Sequence, residues 1–235
     1  MTTTLITGAN KGLGYETARQ LIAAGHTVWI GARDPERGRA AAERLGAPFV
    51  QLDVTDEDSV AAAAKTIEAG GGLDVLVNGA GIEGRTPDNG VIGPADETGE
   101  HMREMFDTNV FGMVRMMHAF LPVLRRSAAP VVVNVSSGLS RTADLADPDG
   151  YVHFYPGVAY PASKAAVNML TVQYAKAFPG IRINAVDPGY TATDLNGGTG
   201  TQTVEQGAQV IVAMAQTGPD GPTGGYFDAN GPLTW

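Results

Sequence analysis

The sequence predicts a single α/β domain over residues 1–235, a doubly wound parallel sheet of about seven strands with helices on both faces. Three observations lead there. Short apolar runs alternate with longer segments whose apolar residues recur at helical spacing. Two of the runs, in "LDVLVNGAG" and "PVVVNVSS", are apolar almost throughout, as strands are when helices cover both sheet faces. A chain of 235 residues suits one large core, and no repeat, linker or composition break divides it.

The elements follow in order. "TTLITGA" is a strand and "GLGYETARQLIAAG" a helix; "HTVWIGA" and "PERGRAAAERL" repeat the unit, and "APFVQLDV" with "DEDSVAAAAKTIEAG" repeats it again. Thr55 and Asp58 have the spacing of a capping box at the start of that third helix. The strands in "LDVLVNGAG" and "PVVVNVSS" flank a long helical region from about Gly99 to Arg125. A helix from Pro161 is expected to stop at the Pro179-Gly180 pair. "IRINAVDPG" gives a strand, residues 204–216 a helix, and "GGYFDAN" a last short strand. Ligands of such sheets sit beyond the carboxyl ends of the strands, so the informative residues should lie just after strands.

Composition narrows the function. A formal net charge of −9 opposes attraction to nucleic acid or to acidic membranes. There is no run of eighteen apolar residues and no signal-like opening in "MTTTLITGAN", which favours a soluble, cytoplasmic protein. With no cysteine, disulfides and thiolate chemistry are excluded and any redox chemistry needs a cofactor; the four histidines lack metal-ligand spacing, so no metal site is expected.

"TGANKGLG" stands between the first strand and the first helix. Gly8 permits the tight turn, Gly12 lets backbone approach a pyrophosphate, and Gly14 lets helix and strand pack closely. The helix N-terminus adds N–H donors, which makes the segment a phosphate cradle. At the end of the second strand, "WIGARD" offers no carboxylate where one would hold a ribose 2′-hydroxyl; Gly31 and Ala32 lie there, followed by Arg33. Arg33 and Lys11 could converge on a 2′-phosphate, which favours NADP(H) over NAD(H). Otherwise Arg33 opens a helix and pairs with Asp34 or Glu36. Asp53 either accepts from an adenine amino group or helps cap the following helix.

"AYPASKAA" places Tyr160 and Lys164 one turn apart on one helix face, with Pro161 tolerated in the first turn. The same spacing suits an amphipathic helix with a half-buried tyrosine and a solvated lysine. Similarly, Ser137 could be a strand-end hydroxyl bonded to its own backbone, and Asn109 a helix amide satisfied by a neighbouring turn.

Taken together, "TGANKGLG", "NGAG" at 78–81, "VNVSS", "YPASK", "DPGYTAT" and the ending "GPTGGYFDANGPLTW" resemble the short-chain dehydrogenase/reductase family, particularly its carbonyl-reductase-like members, over nearly the whole chain. The resemblance implies a Rossmann fold. It also implies Tyr160 as general acid or base, Lys164 lowering its pKa and holding the nicotinamide ribose, Ser137 orienting the substrate carbonyl, and Asn109 holding a water on a proton path to the lysine. By the same resemblance the cofactor is bound by Gly8, Asn10, Lys11, Gly12, Leu13 and Gly14, by Arg33, Asp53 and Val54, by Asn78, Ala80 and Gly81, by Tyr160 and Lys164, and by Pro188, Gly189, Thr191 and Thr193.

The function implied is hydride transfer between NADP(H) and a small carbonyl or alcohol substrate, run reversibly; the alternative is a non-catalytic NADP(H) sensor of the same fold. The chain departs from the family pattern at Gly79, where a second asparagine is common, and in a long 138–159 segment. That segment is expected to edge the substrate pocket, with Tyr151, His153, Phe154 and Tyr155 as an aromatic wall and His153 without a catalytic role. Residues 190–207 form either a lid or a loosely ordered loop. The methionine-rich stretch near 102–117 reads as core packing; in relatives this helix pairs subunits, leaving homodimer, homotetramer and monomer open.

Overall fold

The computed structural model describes residues 2–235. The chain opens as predicted: β1 (Thr3–Thr7), α1 (Gly12–Ala23), β2 (Thr27–Ala32), α2 (Pro35–Leu45), β3 (Phe49–Gln51), α3 (Glu57–Ala69) and β4 (Val75–Asn78). It continues through α4 (Gly99–Phe106), α5 (Gly112–Leu124), β5 (Val131–Val135), α6 (Thr142–Ala146), α7 (Ala159–Ala177), β6 (Arg182–Val186), α8 (Val204–Ala215), β7 (Tyr226–Asp228) and β8 (Gly231–Leu233). The sheet order is β3-β2-β1-β4-β5-β6-β7-β8. The order reverses between β1 and β4, which opens a crevice at their carboxyl ends.

Alternation along the central strands sends successive side chains to opposite layers. Leu5, Leu76, Val132 and Ile183 pack with α3, α5 and α7, whereas Ile6, Val77, Val133 and Val186 pack with α1, α2 and α8. Both faces are therefore dry, as the nearly continuous apolar runs required. The methionines of α5 serve this packing: Met113, Met116 and Met117 are buried in the first layer beside Phe120.

Four details differ from expectation. An eighth strand, β8, runs antiparallel to β7, pairing Phe227 with Pro232; it lies at the edge, where Pro232 removes no needed donor. The third-helix cap is Asp56, whose Oδ1 accepts from Asp58 N at 2.9 Å and Ser59 N at 3.3 Å. Thr55 cannot serve, because its hydroxyl and amide both donate to Asp53 Oδ1, at 2.7 and 2.9 Å. The helical region 99–125 is not one α-helix: Asp107–Phe111 form a π-helical turn between α4 and α5. The extra residue in such a turn re-aims side chains, and it carries Asn109. Finally, α7 begins at Ala159, so Tyr160 lies inside its first turn, and it ends at Ala177, just before Pro179.

Candidate active site

The glycine turn has the geometry of a cradle. Gly8 and Gly12 have φ of +71° and +55°, a region that side chains rarely enter. A Cβ at Gly14 would stand 2.6 Å from the Gly8 carbonyl oxygen, so α1 approaches β1 only because that position is bare. No side chain caps α1, whose N-cap is Lys11, so its first N–H groups face the turn. Asn10 and Leu13 complete this segment. Across from it, Thr193 lies with Cγ2 3.6 Å from where a Gly12 Cβ would be. The turn therefore suits the pyrophosphate of a dinucleotide.

Thr7, not singled out from the sequence, fixes the neighbouring segment: its Oγ accepts from Gly79 N and Ala80 N, each at 3.0 Å. Gly79 fits for a steric reason, since a Cβ there would lie 3.0 Å from the Thr7 carbonyl oxygen. Asn78 donates to Asn134 Oδ1 at 2.8 Å, while its own Oδ1 finds no protein partner among the described residues. A cavity of about 10 Å³, room for about one water, is lined there by Asn78, Val54, Ala80, Asn109 and Lys164. A Cβ at Gly81 would lie 3.3 Å from Asn109 Oδ1 and 3.6 Å from Lys164 Nζ.

Of the two cations expected near a 2′-phosphate, Lys11 binds Asp194 at 2.8 Å. Arg33 is exposed and makes no ion pair among the described residues, because Asp34 is committed to capping α2 and to Arg37. Asp53 spends one oxygen on Thr55 and does not cap the helix.

Tyr160, Lys164 and Ser137 converge at the carboxyl end of β5. Lys164 is buried; its Nζ lies 5.6 Å from the Tyr160 ring centroid and donates to the Val135 carbonyl at 2.8 Å. Burial depresses its pKa to about 8. Tyr160 is pushed the other way, above the ordinary phenol range, by burial first and by the charge of Glu83, against a hydrogen bond with Ser137; Asp187 and Tyr226 add to the rise. Ser137 Oγ also accepts from Leu139 N at 3.3 Å. Ser136 faces inward instead, donating to Asn168 Oδ1 at 2.6 Å.

Asn109 joins three elements. Its Oδ1 accepts from Ile82 N at 2.8 Å, and its Nδ2 donates to the Ile82 carbonyl at 2.9 Å and to Ser163 Oγ at 3.0 Å. The amide thus ties the loop after β4 to α7, and Ser163, unnoticed in the sequence, is its anchor.

Beside Tyr160 lies a cavity of about 260 Å³, lined by Ile82, Arg85, Val91, His101, Met105 and Tyr155 among others. The aromatic wall is a single residue. Tyr151 and Phe154 are each 79% exposed, and His153 Nδ1 meets the Leu145 carbonyl at 2.9 Å. Only Tyr155 turns inward, donating to Glu83 Oε1 at 2.6 Å. The 190–207 segment is cross-linked: Thr191 bridges to Gln202, Gln202 Nε2 donates to Thr191 Oγ1 at 2.9 Å and to the Pro188 carbonyl, and Asn196 Nδ2 donates to the Thr191 carbonyl at 2.8 Å. Gly189, with φ +72°, turns the chain into it. No helix among the described residues is long and apolar enough to cross a membrane, and none of their acidic, histidine or cysteine side chains cluster as metal ligands.

A doubly wound sheet with a glycine turn and a tyrosine-lysine pair beyond its strand ends defines a class of oxidoreductases, and comparison with known proteins agrees. The family model described as short chain dehydrogenase matches residues 2–204. The chain belongs to the short-chain dehydrogenase/reductase family. It is 30% identical to (+)-neomenthol dehydrogenase of Capsicum annuum, over 95% of this chain and 94% of that protein. To short-chain dehydrogenase/reductase 1 of Saponaria officinalis it is 34% identical, over 96% and 93%. Among solved structures, NADPH-bound carbonyl reductase from chicken fatty liver superposes with a TM-score of 0.86 at 28% identity, covering 100% of this chain and 99% of that one.

Proposed function

We propose that the chain is a reductase of aldehydes or ketones that uses NADP(H) in preference to NAD(H), works reversibly on a small-molecule substrate, and employs Tyr160 as its general acid and base. The carrying observation is the meeting of Tyr160 with Lys164, whose Nζ lies over its ring at 5.6 Å, at the strand end that leads to Ser137. The chain superposes on an NADPH-bound carbonyl reductase, and its relatives include a salutaridine reductase, which supports the direction and the cofactor.

When bound, the nicotinamide supplies the hydride that the carbonyl carbon receives. The chain supplies the rest. The Gly8–Gly14 turn, with Asn10 and Leu13, would receive the pyrophosphate, Asp53 and Val54 the adenine side, and Asn78, Ala80 and Gly81, together with Pro188, Gly189, Thr191 and Thr193, the rest of the cofactor. Lys11 and Arg33 read the 2′-phosphate by charge. Ser137 steadies the charge growing on the substrate oxygen, Tyr160 gives it a proton, and Lys164 holds the ribose and replaces that proton through the region of Asn109.

Consumption of NADPH and of NADH against a panel of aldehydes, ketones and quinones tests the proposal. Faster turnover with NADPH on at least one panel member is expected; preference for NADH would mean that Lys11 and Arg33 do not read a phosphate.

A further inference from the structure

We propose that Asn168, a buried amide of α7 that takes no part in hydride or proton transfer, is the positioning residue for Ser137. It clasps Ser136 and Ser140, which stand on either side of that serine, and so sets where the Ser137 hydroxyl lies relative to Tyr160. The inference rests on the reading of Ser137 as the donor to the substrate oxygen and adds the residue that holds it in place.

Four-residue steps along α7 put Tyr160, Lys164 and Asn168 on one face, turned toward the carboxyl end of β5. From there Lys164 Nζ reaches the Val135 carbonyl at 2.8 Å. Asn168, one turn farther along, engages the residues that follow. Its Oδ1 accepts from Ser136 Oγ at 2.6 Å and its Nδ2 donates to Ser140 Oγ at 2.7 Å. One planar amide thus holds both sides of the same short turn. Ser136 precedes Ser137, and Ser140 ends the 3₁₀ turn Gly138–Ser140 that Ser137 caps. That turn closes on Ser137, because Ser140 N donates to the Ser137 carbonyl at 2.9 Å. A shift of Ser140 is therefore passed to Ser137 through one hydrogen bond, and a shift of Ser136 through one peptide bond.

The turn's internal bonds cannot do this work. Ser137 Oγ accepts from Leu139 N at 3.3 Å, which fixes the serine within its own turn but not the turn against α7. The two bonds from Asn168 cross to the helix that carries Tyr160, so they set the one against the other. A further anchor lies on the far side: the Ser140 hydroxyl donates to Tyr226 Oη at 3.4 Å, and that ring stacks on Trp235 at 5.5 Å between centroids. Asn168, Ser136, Ser140 and Tyr226 are all buried. Water does not compete for bonds in such a place, and a satisfied polar network holds one arrangement where apolar contacts would tolerate several.

A double-mutant cycle on the full-length chain tests the proposal, with kcat for NADPH-dependent reduction of an aromatic aldehyde as its readout. Asn168→Ala should lower kcat by about 10- to 100-fold, the scale of a misplaced group, while the dissociation constant of NADPH stays within about twofold of wild type. In a Ser137→Ala background no hydroxyl is left to place, and the same substitution should lower kcat by less than about twofold. Ser140→Ala removes one of the two bonds and should give a smaller loss with the same dependence on Ser137; it decides alone if Asn168→Ala does not fold. Asn184 is the control for a merely structural amide. It is likewise buried, donates to the Pro222 carbonyl at 2.8 Å and accepts from Gly225 N at 3.1 Å, so Asn184→Ala should lower the melting temperature and leave kcat in place. Equal losses with and without the Ser137 hydroxyl, or as large a loss of kcat in Asn184→Ala, would overturn the proposal. A crystal structure of Asn168→Ala needs no substrate and should show the Ser136–Ser140 turn displaced from α7 by about 1 Å; an unmoved turn would overturn the proposal as well. That readout separates failure of this inference from failure of the reading beneath it, which equal kcat of wild type and Ser137→Ala would reveal.

Discussion

Lys164 Nζ donates to the Val135 carbonyl at 2.8 Å, so the helix that carries Tyr160 is bolted to the strand end that carries Ser137. The bond also keeps a charged group in a place where burial lowers its pKa from 10.5 to about 8. The unfolded chain therefore binds more protons than the folded one between about pH 8 and 10.5, and in that window stability rises with pH. Replacing the side chain in Lys164→Met should abolish this rise, a difference of up to about 3 kcal/mol across the window. Denaturant melts of both proteins at several pH values check it; parallel curves would show that Lys164 is not a depressed ammonium.

Ser137 is poised to bond the substrate oxygen, so Ser137→Ala should lower kcat by about 10²–10³-fold, as loss of one donor to a developing oxyanion does. The affinity for NADPH, measured by fluorescence titration, should hardly change.

The exposed pair of Lys11 and Asp194 joins the glycine turn to the 190–207 segment. If Lys11 reads a 2′-phosphate, Asp194 competes for it, and Asp194→Asn should tighten NADPH binding by about two- to fivefold, the scale of a surface pair, while leaving NADH unchanged. Lys11→Ala should weaken NADPH and erase the effect of the second substitution. Equal changes for both cofactors would assign the pair to shaping the loop.

Three substitutions test the local structure. Gly14→Ala forces a methyl to within 2.6 Å of the Gly8 carbonyl oxygen and should cost about 1–3 kcal/mol in thermal or denaturant unfolding. Asp56→Ala should cost about 1 kcal/mol, the worth of a helix cap, whereas Thr55→Ala should not act through capping.

Much of the architecture was legible because its signals are local. The runs around Leu76 and Val132 are apolar at almost every position, and strands of that kind demand covering on both faces. The glycine turn was legible for the same reason, since Gly8 and Gly12 are required by their own backbone angles. What escaped depends on partners distant in sequence. The competition between Thr55 and Asp56 is settled by Asp53 taking the Thr55 hydroxyl. The π-helical turn at Asn109 is fixed by Ile82 and Ser163, which no spacing around 109 reveals.

The most direct test of the central claim is Tyr160→Phe, which removes one hydroxyl and leaves the ring under Lys164 in place. Steady-state reduction with NADPH should fall by about 10²–10⁴-fold, the usual contribution of a positioned acid, while the dissociation constant of NADPH stays within about twofold of wild type. A variant that binds NADPH and still turns over at the wild-type rate would contradict the assignment of Tyr160 as the proton donor.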